Sequence, residues 1–212
     1  MLLIQNGTLH TMEEEKPIRA DLLIRDRKIV KIQPNIQAKK EMSIIDAEGL
    51  HIYPGFIDAH SHIGIAEEQT TAQTDSSNEG TNPVTPFVRA IDGINPMDSA
   101  FHNALAAGIT GVMVGPGSAN PIGGQFAFIK THGRCVDDMV VLAPAAKEGW
   151  GEHAALRAIT IDTAKICRVD HRLGSLKEGK DADLAIFDGN PMEIASSVRM
   201  TIINGEVVWS AQ

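Results

Sequence analysis

The sequence predicts an α/β protein in which two β-rich ends join as one composite β-sandwich beside a central α/β segment. Three observations carry this. Residues 1–48 run as short apolar stretches broken by turn residues, as strands do. Residues 174–212 show the same pattern. Between them the chain mixes short apolar runs with helix-capping signals.

At the N-terminal end, Leu2-Leu3-Ile4 leads to an expected turn at Asn6-Gly7 and then Thr8-Leu9-His10. Asp21-Leu22-Leu23-Ile24 and Lys28-Ile29-Val30-Lys31-Ile32 flank Arg25-Asp26-Arg27 as a hairpin. Ser43-Ile44-Ile45-Asp46 precedes a turn before Gly49. Such a meander needs a second sheet or a helix over its apolar face. The far end supplies it: Ala182 to Phe187, then Met200 to Ile203, turning at Asn204-Gly205 into Val207-Val208-Trp209. Asn-Gly between two apolar runs is the strongest short hairpin signal.

The central segment opens with Gly49-Leu-His-Ile-Tyr-Pro-Gly-Phe-Ile-Asp-Ala-His-Ser-His-Ile-Gly64. A Pro-Gly break and a short apolar strand (Phe56, Ile57) end in Asp58, His60 and His62, in alternation. Residues two apart on a strand share a face, so His60 and His62 can reach one metal ion. Imidazole nitrogen binds zinc and several other first-row metals. Asp58 falls on the same face, either orienting a histidine or serving as a plain strand-end hydrogen-bonder.

Residues 63–95 are long, polar and loop-like, and follow the histidine strand directly. Such a loop is either a lid at the mouth of a site or a surface excursion. A helix is expected from Asn95 as N-cap, with Pro96 at the first helical position, to Gly108. His102 lies off its apolar face and reads as a surface residue. Ile109 to Val114, Gln125 to Ile129 and Met139 to Leu142 read as buried strands. Gly115-Pro116-Gly117 and Gly123-Gly124 suit either a phosphate cradle or tight turns; neither matches a nucleotide fingerprint, and turns are the preferred reading. Two helices follow, one around Ala154 to Ala158 and one from Asp162 to Cys167.

Composition bounds the function. With 212 residues, 43% hydrophobic and 22% charged, the chain is an ordinary soluble protein with a sizeable core. A net charge of −8 and a pI near 5.4 argue against nucleic acid or an anionic membrane as partner. Cys135 and Cys167 form neither a disulfide framework nor a C-x-x-C metal motif, which predicts reduced thiols and a cytoplasmic setting. Met1 to Ile4 is too short for the apolar core of a signal peptide. Asn103 to Ile129 carries no charge but holds six glycines and two prolines, which fits buried strands and turns rather than a membrane span.

The strand carrying the histidines resembles the first barrel strand of the amidohydrolase superfamily, written P-G-F-I/V-D-x-H-x-H. Gly174-Ser-Leu-Lys-Glu-Gly-Lys-Asp-Ala-Asp-Leu184 resembles that superfamily's C-terminal signature, G-S/T-I/L-x-x-G-x-x-A-D-L/I/V. Ala155 to Thr160 with Asp162-Thr163-Ala164 is similar to the helices after its eighth strand. His153 and His171 match no ligand position of the family.

The resemblance implies a (β/α)8 barrel with a β-domain built from both termini. Residues 1–54 and 174–212 are then the composite β-sandwich, and 55–173 a partial TIM-barrel-type domain. A full barrel takes about 250 residues, and only about 120 lie between the two ends. The matching halves meet near 146–147, where the central strands are missing. The implied activity is metal-dependent hydrolysis of non-peptide C–N bonds, in a cyclic amide, an amidine or a small peptide-like substrate. The implied cofactor is a divalent metal, zinc first, with Fe, Mn or Ni as alternatives. His60 and His62 are its ligands and Asp58 a supporting residue. In the superfamily the other ligands come from later strands, and none can be assigned here, so catalysis is expected to be impaired. The alternative is a non-catalytic remnant that acts as a scaffold. An open barrel exposes strand edges, which predicts a homo-oligomer; the expected ligand is a small molecule.

Overall fold

In the computed structural model, strands from both chain ends hydrogen-bond into one eight-stranded sheet. The structure describes residues 1–66, 77–78, 80–117, 121–142 and 156–211. His153, Ala154 and the expected junction at 146–147 lie outside the described residues.

The large sheet contains β1 (Leu2–Leu9), β2 (Ile18–Arg25), β3 (Lys28–Gln33), β4 (Ser43–Asp46), β5 (His51–Pro54), β10 (Leu184–Phe187), β11 (Val198–Ile203) and β12 (Glu206–Ser210). Its order is β12-β11-β10-β5-β1-β2-β3, with β4 paired to the start of β1. β5 and β10 join antiparallel, with Tyr53 opposite Ala185, so the two ends meet in the middle of the sheet. The β2–β3 end curls back onto the chain leading into β10. There the Gly179 N–H donates to the Ile29 carbonyl (2.7 Å), Ile29 N–H to Lys180 (2.9 Å) and Ala182 N–H to Arg27 (2.9 Å). An otherwise open edge is thereby covered. Ile4, Leu22, Ile29, Ile52, Leu184 and Ile202 share the enclosed core.

Both expected hairpins form; Asn204-Gly205 is the pair its turn favours, whereas in Asp26-Arg27 the arginine takes a φ uncommon for a non-glycine residue. Asp26 and Arg27 have φ of 52° and 67°, and Asn204 and Gly205 have 53° and 77°. Positive φ at both central residues is the twist-matched I′ geometry. Asn6-Gly7 is not a turn. β1 runs straight through it, with the pairing to β2 shifting between Ile4 and Gly7. Asn6 takes φ 63° as a bulge, its N–H donating to Asp21 (2.9 Å) and its amide to Asp46 (2.9 Å). A side chain at Gly7 would overlap Ile52, so the strand continues where the dipeptide alone suggests a reversal.

The smaller sheet has the order β6-β7-β8-β9, from β6 (Phe56–Ser61), β7 (Ile109–Val114), β8 (Ala127–Lys130) and β9 (Val140–Leu142). β6 and β7 are parallel and joined through α1 (Ser99–Ala106), as in a βαβ unit. β7–β8 and β8–β9 are antiparallel, a pairing that a (β/α)8 barrel does not contain. For β7–β8 the physical reason is the connection: Gly115 to Phe126 is rich in glycine and proline, and no helix among its described residues returns the chain for parallel pairing. α1 starts at Ser99 rather than at Pro96, because Asp98 is the cap, its carboxylate accepting the Ala100 N–H (3.1 Å). Asn95 instead turns the chain before it, accepting the Met97 N–H (3.0 Å). The short helices α2 (Val136–Met139) and α3 (Ile161–Ile166) complete the described elements named here.

A buried ion cluster pins the two sheets together. Lys130, at the end of β8, directs Nζ to Asp181 (2.9 Å), Asp183 (2.9 Å) and Asn204 (2.6 Å) of the large sheet's side. Lys28 and Arg172 add further bonds to Asp181 (2.5 and 2.8 Å). No helix among the described residues is long and apolar enough to cross a membrane.

Candidate metal centre

β6 is held for its task from both sides. The Ile57 N–H donates to the Ile159 carbonyl (2.8 Å), and Phe56 N–H to Gly108 (3.0 Å). Gly55 has no room for a side chain, since a Cβ there would overlap Thr110. Past the strand, Ile65 and Ala66 both donate N–H to the His62 carbonyl (3.0 and 2.8 Å). Gly64 takes φ +77°, with its N–H on the Asp98 carboxylate (3.2 Å) and its carbonyl accepting from Asn95 (2.7 Å). The helix cap of α1 therefore also anchors the turn that carries His62.

His60 and His62 stand side by side at the end of β6, ring centres 5.1 Å apart and nearly perpendicular at 85°. His60 is exposed and His62 half-buried. The Nδ1 of His62 lies 2.7 Å from the Gly115 carbonyl. A carbonyl only accepts, so Nδ1 carries a proton, and in the neutral ring it is Nε2 that keeps the lone pair. This is the arrangement in which metal-binding histidines are held. Two imidazoles suit zinc, iron or nickel and fit a divalent metal as a two-donor set. Among the described residues, no three His, Cys, Asp or Glu side chains converge on one point. A catalytic zinc uses about three protein ligands, so the described set is short by one.

Asp58 is exposed, and its carboxylate accepts the backbone N–H of His60 (3.0 Å). Burial pushes the Cys167 thiol up to about 11, and the nearby Asp58 charge adds to it. Cys135 is exposed. In native protein at pH 8, a thiol reagent is therefore expected to label Cys135 quickly and Cys167 only after denaturation. Two fast thiols in the native state would contradict the packing around Cys167. His102 and His171 are both exposed, away from the pair.

Gly115-Pro116-Gly117 leaves β7 as irregular chain, neither the expected turn nor a phosphate cradle. The Gly115 N–H donates to Ser61 (3.1 Å) and the Gly117 N–H to Ser77 (2.5 Å), so neither is offered to an anion. A cavity of about 180 Å³ lies beside this segment, its lining including Ile65, Ser77, Thr85, Arg89 and Gly117. Arg89 forms a two-pronged pair with Asp92 (2.6 and 2.8 Å). Gly115 and Phe126 border the histidines; the sequence marks Gly115 only within a turn or cradle and does not mark Phe126. The H-x-H signal marks the strand and says nothing of what packs beside it.

Comparison with known proteins adds four findings. A family model described as "Amidohydrolase family" matches residues 151–209. Amidohydrolase tasK of Hapsidospora irregularis is 34% identical over 113 residues, which are 52% of this chain and 12% of that protein. A dihydroorotase of Streptococcus thermophilus is 42% identical over 62 residues, 29% of this chain and 14% of its own length. The chain thus matches only a small part of these relatives. Among solved structures, an amidohydrolase from Thermotoga maritima superposes with a TM-score of 0.94 at 22% identity, covering 100% of both chains. At that identity the likeness speaks for the fold alone.

Proposed function

We propose that the chain is an amidohydrolase-superfamily protein and, on that premise, a metal-dependent hydrolase of non-peptide C–N bonds, of reduced competence in this form. Cyclic amides, amidines and small peptide-like compounds are the substrate classes. The observation that supports it most is the paired imidazoles of His60 and His62, with His62 locked in the tautomer that leaves Nε2 available. These two residues would hold a divalent metal, zinc first, with Fe, Mn or Ni as alternatives. Such a metal, when bound, lowers the pKa of a water and polarises a carbonyl. The chain's own part is positional: the Gly115 carbonyl retains the Nδ1 proton of His62, and β6 sets both rings side by side. Asp58 steadies the backbone of His60. In this reading residues 1–54 and 174–212 form one unit, and within 55–173 the parallel β6–α1–β7 unit is what remains of barrel-type pairing.

The second reading, a non-catalytic scaffold, draws on the two-donor count and on the edge that β9 presents among the described residues. One titration separates them. Zinc binding measured calorimetrically is expected for the wild-type protein, weakened at least about tenfold by His60→Ala or His62→Ala. Protein that stays metal-free after incubation with zinc sinks the hydrolase reading. Zinc binding without turnover on a panel of cyclic amides and dipeptides favours the scaffold.

A further inference from the structure

Gly115 and Phe126 sit on neighbouring positions of the antiparallel pair β7–β8, one step beyond the Val114–Ala127 partners. The Phe126 ring lies across the glycine, and a methyl group at residue 115 would overlap it. An aromatic ring folded over a cross-strand glycine shields that backbone and pins the ring in return. From this place each residue reaches a different histidine. The Gly115 carbonyl accepts the Nδ1–H of His62 at 2.7 Å. The Phe126 ring meets that of His60 at 5.5 Å between centres, tilted by 45°. Phe126 is itself anchored below, against the core of Ile57, Met113 and Phe128. The Gly115 N–H closes the loop by donating to Ser61, the residue between the two histidines (3.1 Å).

We propose that Gly115 and Phe126 are a positioning pair for the two histidines: the glycine carbonyl fixes the proton of His62, and the phenyl ring fixes the place of His60. His60 is exposed and His62 half-buried, so without such supports His60 would sample several rotamers. The antiparallel β7–β8 pairing thereby acquires a role, since it is what brings Phe126 over Gly115. The value of this pre-organisation for a metal rests on the function proposed above. The positioning itself is a property of the metal-free protein.

The test is therefore made first without metal. Long-range 1H–15N correlation spectra of 15N-labelled protein at neutral pH report which nitrogen of each imidazole carries the proton. His62 is expected as the Nδ1–H tautomer, although a free imidazole side chain favours Nε2–H. An Nε2–H or rapidly averaged His62 overturns the assignment to Gly115. Phe126→Ala is expected to move the His60 ring signals toward averaged, solvent-like values and to weaken zinc binding about tenfold. Phe126→Tyr, which keeps the ring face, is expected to restore both. His60 signals unchanged in Phe126→Ala overturn the role of Phe126. Should that variant fail to fold, Phe126→Leu retains the apolar contact without the ring face and is read in the same way. Wild-type protein that binds no zinc removes the metal-dependent function, while the two spectra still decide the positioning.

Discussion

Lys130→Ala is expected to destabilise the protein by about 3–5 kcal/mol, the cost of stranding buried charge. The side chains of Lys130, Asp181 and Asp183 are each no more than 3% exposed. Lys130 satisfies Asp181, Asp183 and Asn204 at once, and Asp183 Oδ2 already has no partner among the described residues. Against a typical total of about 5–15 kcal/mol, the loss is a large share. Replacing the lysine and both carboxylates together, as Lys130→Met with Asp181→Asn and Asp183→Asn, is expected to recover much of it. Lys28 and Arg172 are partly exposed and can turn to water.

The pH dependence has a definite sign. Burial pushes the Asp181 carboxyl up, but the Lys130 charge and the bonds from Lys28, Lys130 and Arg172 outweigh it and hold it at about 2. A depressed carboxylate stabilises the fold above its unfolded value of about 3.9, and that stability fades as pH falls toward 2. Asp183 is raised, by burial first, so its contribution runs the other way: present at low pH and lost as pH rises through its folded value. Without Lys130 both carboxyls lose their main cation. The stability gap between wild type and Lys130→Ala is thus expected to narrow from pH 7 to about pH 3, by urea denaturation. A gap that is constant with pH would show that the lysine contributes packing alone.

Gly174→Ala is expected to cost about 2–4 kcal/mol, whereas Gly179→Ala in the same motif costs about 1–2 kcal/mol. Both glycines have positive φ, +82° and +91°, so both substitutions carry left-handed strain. They differ in surroundings. A Cβ at Gly174 would stand 2.6 Å from the Ala164 Cβ, 2.8 Å from the Ile161 Cα and 2.9 Å from the Thr160 carbonyl. Two of these are backbone atoms of α3 or its cap and cannot yield without moving the helix. At Gly179 nothing lies within 4 Å. Equal midpoints in urea for the two variants would refute this contrast.

What could be read from the sequence depended on how local its cause was. The strands at both ends and the Arg25–Lys28 and Asn204–Gly205 hairpins are legible because alternation and turn residues act within a few positions. His60 and His62 are legible for the same reason. Asn6-Gly7 misleads, because its bulge is set by Asp21, Asp46 and Ile52, which only the folded sheet brings near. Asn95 and Asp98 compete for one helix start, and the choice falls to the residue whose side-chain carboxylate also takes the Gly64 N–H. Antiparallel β7–β8 pairing leaves no periodic mark. Lys130 does leave one, as the first charge after the uncharged Asn103–Ile129 run, but its partners lie more than fifty residues away.

The meeting of β5 and β10 also bears on how the chain is made. β5 ends at Pro54 and its partner begins at Leu184, 130 residues later. At about 5–20 residues per second, a ribosome needs roughly 7–26 s to cover that interval. For that time Ile4, Leu22 and Ile52 have no lid from the far strands, and β5 offers a bare edge to any passing chain. The nascent protein is thus expected to depend on chaperone shelter during synthesis far more than the finished sheet does once β10 has docked.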